Sequence, residues 1–210
     1  VNGVQRYEVN AYGKRINQID FKEGNKGKTI NLTIDTEIQK LTSELLRDKA
    51  GSISVMDIYT GEIIAMNSSP SFDPNLFLYG IDNNLWNQIK KDPLKPLINK
   101  TVSGLYSPGS TIKPLVALSA LENDVIRTNM KVECKGKVEM YDQKYHCWKK
   151  KGHGFMSLKN AIKQSCDIYF YELARLLGVD RLNITAEKFG LGKQALGKYF
   201  LNEKKGIVPS

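Results

Sequence analysis

The sequence predicts an α+β fold in which an antiparallel sheet is flanked by helices. Alternating β-branched residues predict a strand at residues 29–34, and two strand-like runs around residues 57–61 predict an antiparallel hairpin. These strands precede the main helices instead of alternating with them, which argues against a parallel βαβ winding. Hydrophobic residues make up 41% of the 210 residues, which is enough for a buried core.

The first 28 residues are polar and dotted with glycine. A strand-like stretch at residues 7–10 precedes a linker-like stretch at residues 22–28. We expect residues 1–28 to be the tail of a preceding domain with its connector, and residues 29–210 to be the N-terminal part of the next domain. Both ends interrupt sequence of mid-fold character, so we expect the chain to be truncated at both.

A helix is predicted after the strand at residues 29–34. Asp35 or Thr36 is expected to cap its N-terminus, and Gly51 to close it. Its apolar residues recur at helical spacing and are predicted to face the core: Ile38, Leu41 and Leu45.

The hairpin follows, with residues 52–58 and 62–67 as its strands. Residues 69–97 predict a loop-rich segment with a short helix near Trp86. Towards the C-terminus we expect three helices, at residues 158–162 with Ser157 as the cap, at residues 168–177, and at residues 180–190.

A serine and a lysine stand three positions apart where a loop turns into a helix. Pro108 and Gly109 break the preceding backbone, and Pro114 suits a first helical turn, so the helix should begin at or beside Ser110. Residues three apart share a helix face, which brings the Lys113 amine towards the Ser110 hydroxyl. Because a serine needs a base to take its proton, the pair predicts a nucleophile site. Alone, Ser-x-x-Lys arises by chance about once in such a chain.

A second motif, Ser165-Cys166-Asp167, lies between two predicted helices, where a hydroxyl can face a cleft. By itself Ser-x-Asp is a weak signal. Behind Ser-x-x-Lys, in this order and in this helical setting, it becomes specific. With both motifs the chain resembles the transpeptidase domain of class B penicillin-binding proteins, and most closely the penicillin-binding protein 2 group of the cell-elongation machinery.

The resemblance extends over nearly the whole chain. It implies the fold shared by penicillin-binding proteins and serine β-lactamases, incomplete in this chain. It also implies that Ser110 is the acylated nucleophile, that Lys113 is its base, and that Ser165 relays a proton to the leaving amine. Asp167, where many relatives have Asn, would orient the substrate. The stretches that carry the likeness are residues 32–35 with Gln39, 57–66, 70–75 and 108–114.

The third motif of that family, Lys-Thr-Gly on a strand lining the cleft, does not occur in these 210 residues. Lys28-Thr29 and Lys100-Thr101 are followed by isoleucine and valine. The strand would also supply one N–H of the oxyanion hole, a donor whose loss costs about 3 kcal/mol of barrier. We therefore expect the full-length protein to be an enzyme and this fragment to be inactive or nearly so.

Three cysteines and a histidine, Cys134, Cys147, His153 and Cys166, form a C-x12-C-x5-H-x12-C pattern. Three thiols and an imidazole are a complete ligand set for structural zinc. A Cys134–Cys147 disulfide with Cys166 as a buried thiol, or simple packing of all three, are the alternatives. His146 is a reserve ligand.

The resemblance implies a metal beside the second motif, with ligands matching His153 and Cys166. Relatives have carboxylates nearer the positions of Cys134 and Cys147. Because Cys166 separates Ser165 from Asp167, the metal would act by fixing the direction of those side chains. No cofactor is expected for catalysis.

For the intact protein, the resemblance implies a peptidoglycan D,D-transpeptidase that acts on stem peptides and is trapped by β-lactam antibiotics. It also implies a membrane glycan polymerase as partner, and a place on the periplasmic face of the bacterial inner membrane with an anchoring helix outside this chain. The alternatives are a serine β-lactamase or β-lactam sensor, and a non-catalytic zinc-binding module.

The chain is basic, since 31 Lys and Arg residues against 22 Asp and Glu residues give a net charge of +9. Such a balance is compatible with nucleic acid, anionic lipid or an acidic polymer. However, the lysines are scattered, and no helix-turn-helix or zinc-finger spacing accompanies them. We expect a solvated lysine-rich surface and no nucleic-acid partner.

Overall fold

The structure is a computed structural model that describes residues 3–78, 80–197 and 199–209. It divides into two compact units, one comprising residues up to 45 together with 54–66, the other comprising residues 46–53 and those from 67 onward. Within these described ranges, each helix is too short or too polar to cross a membrane.

The elements follow one another from short strands to a helical second half. The N-terminal part contains β1 (Val4–Val9), β2 (Arg15–Lys22), α1 (Thr36–Leu45), β3 (Gly51–Met56) and β4 (Ile63–Ser69). Next come α2 (Asn83–Lys91), α3 (Lys100–Ser103) and α4 (Lys113–Glu122), with 3-10 turns at Pro74–Phe77 and Gly109–Ile112. The rest contains β5 (Lys131–Cys134), β6 (Lys137–Met140), β7 (Gln143–His146), β8 (Gly154–Ser157), α5 (Leu158–Lys163), α6 (Asp167–Leu177) and α7 (Val179–Lys188).

The strands of the described chain pair two by two, as β1-β2, β3-β4, β5-β8 and β6-β7. The first, third and fourth pairs are antiparallel. The predicted α+β class is thus confirmed, although the strands described here form separate ribbons and not one continuous sheet. Pairing of β5 with β8 sets Cys134 opposite Gly154, which brings distant parts of the cysteine pattern together.

Two predictions near the N-terminus are wrong. Residues 29–34 are not a strand: Ile30 and Leu32 are 80% and 75% exposed, and a single backbone bond, from Asp35 N to the Ile64 carbonyl (2.9 Å), is too little for a ladder. On α1 the expected core face is only partly covered, since Ile38 is half-buried whereas Leu41 and Leu45 are 53% and 54% exposed. Strand β2 was missed because its apolar residues do not alternate and its pairing is interrupted by register shifts.

Of the other local predictions, the cap of α1 is confirmed and its closing glycine is not. The Asp35 carboxylate accepts the N–H groups of Glu37 and Ile38 (2.9 Å each), which makes it the cap of α1. Gly51 opens β3 and does not close α1, because the helix already ends at Leu45. The turn of the β3-β4 hairpin is fixed by the Asp57 carboxylate, which accepts two backbone N–H groups, and by Gly61 at φ 75°.

The core of the second unit lies between α4 and α6. Both helices bury apolar side chains in one cluster, among them Val116, Ala120, Ile168, Leu173 and Leu177. Each large aliphatic side chain that is fully buried stabilises the fold by roughly 1.5–3 kcal/mol. A buried hydrogen bond from the Thr185 hydroxyl to the Ser119 hydroxyl (2.8 Å) links α7 to α4. The first residues of α4 and α6 are therefore held side by side.

Two glycines allow the segment after β7 to approach β5. Gly152 has φ +80°, and a Cβ there would lie 2.1 Å from the Cys134 carbonyl oxygen. Gly136 has φ +87°, and its Cβ would lie 2.0 Å from the Lys150 carbonyl oxygen. Both contacts are with backbone, which cannot yield as a flexible side chain does. This close packing places Cys147 and His153 beside the end of β5, where His153 N donates to the Cys134 carbonyl (3.0 Å).

We expect Gly152→Ala to lower the free energy of unfolding by about 3 kcal/mol or more, because it adds a backbone clash to the cost of a positive φ. Gly154→Ala is the matched control. Gly154 has φ +73° but open space around it, so only the conformational cost of about 1 kcal/mol applies. Urea unfolding of the two variants measures the difference, and equal losses would contradict the close approach.

Candidate functional site

Ser110, Ser165 and Lys113 form a line of hydrogen bonds at the start of α4. Ser110 is exposed in the 3-10 turn, whereas Lys113, the first residue of α4, is only 8% exposed. Lys113 Nζ donates to Ser165 Oγ (3.0 Å), and Ser165 Oγ donates to Ser110 Oγ (2.9 Å). The sequence predicted a direct approach of lysine to Ser110, but the structure places Ser165 between them.

Ser165 reaches this position through an unusual backbone conformation. It has φ 50°, a left-handed value that costs a non-glycine residue on the order of 1 kcal/mol or more. Its N–H donates to the Ile162 carbonyl (3.2 Å), which closes α5, and its carbonyl accepts from Lys113 Nζ (3.0 Å). Such strain persists only where surrounding contacts fix it, and here it turns the hydroxyl towards Ser110.

Asp167, the first residue of α6, forms an ion pair with Lys113. Lys113 Nζ lies 2.6 Å from Asp167 Oδ1, and their side chains are 11% and 22% exposed. The second oxygen, Oδ2, accepts the backbone N–H of Trp148 (3.0 Å). Burial raises the pKa of Asp167, but the hydrogen bonds from Lys113 and Trp148 lower it more, so the pKa lies below its ordinary value. Asp167 is therefore a carboxylate.

Lys113 Nζ donates three hydrogen bonds, to Ser165 Oγ, the Ser165 carbonyl and Asp167 Oδ1. Three donors are what an ammonium group has, and the last two partners can only accept. The ring of Phe170 lies 5.6 Å away and adds a cation–π contact. In this arrangement Lys113 is a hydrogen-bond donor to Ser165.

The cysteines and histidine of the sequence pattern meet in one cluster. One ligand atom from each of Cys134, Cys147, His153 and Cys166 lies within 4.8 Å of every other. His153 Nδ1 is 3.5 Å from the Sγ atoms of both Cys134 and Cys147. The three cysteines are free, buried thiols, so the structure does not contain the alternative Cys134–Cys147 disulfide. His146, the reserve ligand, is exposed and outside this cluster.

Two of these distances agree with tetrahedral coordination of a zinc ion. With Zn–S near 2.3 Å and Zn–N near 2.0–2.1 Å, a nitrogen and a sulfur ligand stand about 3.6 Å apart. The two observed distances of 3.5 Å agree with this value. Burial and the positive charges of Lys149 and Lys113 lower the pKa of His153, against the opposing effect of Asp167, so its imidazole is neutral as a metal ligand must be.

The thiols differ in their surroundings. Burial raises the pKa of Cys166 to about 12. Burial also raises that of Cys134, but the N–H groups of Gly136 and His153 outweigh this effect and leave its pKa below the ordinary value. Cys134 is the thiol that the surrounding protein favours as a thiolate, the form in which cysteine binds metals.

The cluster and the Ser110 site share residues 165–167. Cys166 is fully buried at the N-cap of α6, between Ser165 and Asp167. Trp148 directly follows Cys147, and no role was predicted for it from the sequence. Its indole Nε1 donates to the Gln164 carbonyl (3.0 Å), and its ring meets that of His153 edge-on at 5.3 Å. Its position next to the predicted ligand Cys147 could have drawn attention to it. However, the bond from its backbone N–H to Asp167 cannot be inferred from the type of residue.

Residues 51–210 match the family described as the penicillin-binding protein transpeptidase domain. The chain belongs to this family. It is 35% identical over 210 residues to the peptidoglycan D,D-transpeptidase MrdA of Acinetobacter baumannii. The matched region covers 99% of this chain and 31% of that protein. The chain thus spans about a third of this relative's length.

Solved structures of this family have the same fold. The crystal structure of Pseudomonas aeruginosa PBP2 in complex with WCK 5153 gives a TM-score of 0.81 at 39% identity, over 92% of this chain and 43% of that one. A structure reported for coordination of polymerization and crosslinking by a peptidoglycan synthase complex gives 0.74 at 30% identity, over 99% and 39%. The resemblance to the penicillin-binding protein 2 group is confirmed.

Lys113→Met should leave the Asp167 carboxylate without its counterion, with the Trp148 N–H and the Cys147 thiol as its remaining hydrogen-bond partners. We expect the free energy of unfolding to fall by about 2 kcal/mol, since a mostly buried charge loses its counterion while keeping some contact with water. The double variant K113M/D167N should lose less than K113M alone, because the stranded charge is removed.

The matched control is Lys188→Met, which breaks a surface pair with Glu122 whose side chains are 61% and 43% exposed. Such pairs contribute under about 1 kcal/mol. Urea unfolding of the wild type, K113M, D167N, K113M/D167N and K188M compares these losses. If the double variant loses as much as the sum of both single variants, Lys113 and Asp167 are not energetically coupled.

Proposed function

We propose that the full-length protein is a peptidoglycan D,D-transpeptidase that cross-links stem peptides during cell elongation. The observation that carries the proposal is the line Ser110–Ser165–Lys113–Asp167, joined by contacts of 2.9, 3.0 and 2.6 Å, in a chain of the transpeptidase family. The name of the Acinetobacter baumannii relative supports this activity. We assign the catalytic roles to these four residues.

In the first half of the reaction, Ser110 Oγ bonds to the penultimate D-alanine carbonyl carbon and the bond to terminal D-alanine breaks. The Ser110 proton must leave, and the departing amine must gain one. The contacts join Lys113 through Ser165 to Ser110, so a proton can pass along this line to that amine. For Lys113 to serve as the base at the outset, its amine has to be neutral, and its contact with Ser165 Oγ then reverses so that the hydroxyl donates to the amine.

In the second half, an amine of a neighbouring strand attacks the acyl carbon, its proton returns along the same line, and Ser110 is regenerated. A β-lactam would acylate Ser110 in the same way and persist, because its ring amine stays attached. One N–H for the oxyanion comes from Ser110 itself. The resemblance assigns the other N–H to a Lys-Thr-Gly strand. That motif does not occur in residues 1–210, so we propose that these residues alone react slowly.

We further propose that Cys134, Cys147, His153 and Cys166 hold a structural zinc ion. The agreement of the nitrogen–sulfur distances with a tetrahedral site supports this. A bound zinc would supply rigidity and no chemistry to the reaction. By fixing Cys166 it would hold Ser165 and Asp167 on either side, and so preserve their direction towards Ser110 and Lys113.

We propose a membrane glycan polymerase as partner, and the periplasmic face of the bacterial inner membrane as the location. The similarity to a chain of a peptidoglycan synthase complex that joins polymerization and crosslinking supports the partner. Cross-linking needs nascent glycan strands, so the transpeptidase has to work where a polymerase releases them. The basic surface is attributed to solvated lysines.

Full-length protein treated with fluorescent penicillin is expected to gain one covalent adduct on Ser110, located by peptide mass spectrometry. Ser110→Ala should abolish it. Ser165→Ala should slow acylation by roughly 10²- to 10⁴-fold, the usual effect of losing a proton-transfer group. Ser107→Ala, in the same exposed loop, should acylate at the normal rate and serves as the control.

The lifetime of the adduct separates the alternatives. A transpeptidase keeps it for many minutes, whereas an adduct that hydrolyses within seconds would indicate a serine β-lactamase. No adduct at all, in a protein whose biological function survives Ser110→Ala but not Cys166→Ala, would support the non-catalytic zinc-binding module.

Purified protein is expected to contain one zinc ion, measured by atomic emission. His153→Ala should lose most of it, whereas His146→Ala should retain it because that side chain lies outside the cluster. A chelator should lower the thermal midpoint, and reductant alone should not. Absence of zinc together with a Cys134–Cys147 bridge in mass spectra would overturn the metal proposal.

A further inference from the structure

Trp148 connects the cysteine–histidine cluster to the residues around Ser110 by contacts that no motif predicted. Its backbone N–H donates to Asp167 Oδ2 and its indole N–H donates to the Gln164 carbonyl, both at 3.0 Å. Its ring lies edge-on against His153. The residue thus bonds to both sides of the Ser165-Cys166 segment while following directly after the cluster residue Cys147.

We propose that Trp148 is a positioning residue that orients the Asp167 carboxylate towards Lys113. A carboxylate on one side-chain bond can rotate, and a single ion pair does not fix its plane. Asp167 has Oδ1 on Lys113 and Oδ2 on the Trp148 N–H, so the two contacts together hold the plane. Lys113 is held in place by this carboxylate and donates a hydrogen bond to Ser165 Oγ.

The indole N–H is the part of Trp148 that a substitution can test. It donates to the carbonyl of Gln164, the residue at the C-cap of α5 that immediately precedes Ser165. This bond fixes residue 148 relative to the segment that carries Asp167. Trp148 is 64% exposed, so apolar burial alone does not fix its placement.

An exposed aromatic ring beside an active site could instead contact substrate. The two roles affect different steps of acylation. A substrate contact changes the affinity of the first, non-covalent complex, whereas a positioning residue changes the rate of the covalent step and leaves that affinity alone. This inference rests on the proposed function, because it concerns the residues assigned there to acylation.

The test compares Trp148→Phe with wild-type full-length protein, with Trp86→Phe as the control. Phenylalanine keeps an aromatic ring at position 148 but removes the indole N–H together with part of the ring surface. Trp86 is the other tryptophan of the chain and lies in α2, where it packs edge-on against Phe77. We expect W148F to slow the covalent step with penicillin about fivefold, as the loss of one neutral hydrogen bond implies, with unchanged initial affinity. W86F should match wild type in both.

A double-mutant cycle asks whether the effect passes through Asp167. In an Asp167→Asn background, W148F should have little further effect on the covalent rate, because the carboxylate that it orients is already gone. A fivefold loss in both backgrounds would overturn the inference, as would a change in initial affinity alone. A fall in thermal midpoint or zinc content that accounts for the whole rate change would also overturn it.

Hydrogen exchange provides a readout that does not depend on activity. We expect the amides of residues 164–168 to exchange about tenfold faster in W148F than in wild type, and no change there in W86F. Unchanged exchange in W148F contradicts the inference. If wild-type protein fails to acylate with penicillin, the proposed function is lost, and the exchange measurement still decides whether Trp148 orders this segment.

Discussion

The ion pair between Lys113 and Asp167 is the interaction on which the rest of the site depends. It joins the first residue of α4 to the first residue of α6, two helices whose apolar faces share one core. Removing two charges from water is costly, and such a pair seldom stabilises a fold more than apolar residues of the same size would. Its value therefore lies in what it positions. With Lys113 fixed, the hydroxyls of Ser165 and Ser110 fall into line on one side of it.

The sequence predicted the local parts of this arrangement well. Ser110 and Lys113 are three residues apart at a helix start, so their proximity follows from helix geometry. Ser165 and Asp167 were singled out by their place between two helices. What could not be predicted is that Ser165 lies between Ser110 and Lys113, because this depends on a left-handed backbone at Ser165 and on the packing of α4 against α6.

The cysteine cluster shows the same limit. A spacing of twelve, five and twelve residues contains no distance information until the chain between the ligands is folded. The short strands β5 and β8 were not predicted, because four residues are too few to show a clear alternation. Yet their pairing, with Gly136 and Gly152 allowing close backbone contact, is what brings Cys134 to His153. Conversely, Leu41 and Leu45 had a clear helical pattern and are half exposed, because pattern alone does not supply a covering element.

Packing and orientation are both needed at this site. The core between α4 and α6 holds the backbones of Lys113 and Asp167, and the segment at residues 131–156 contributes Cys134, Cys147 and Met156 to the same core. The directions of Ser165 and Asp167 are also set from that segment, through Cys166 and through the N–H of Trp148. A strained serine and a rotatable carboxylate need such outside support, since neither is fixed by its own helix. The cluster is consequently better understood as part of the reactive site than as a separate support for the fold.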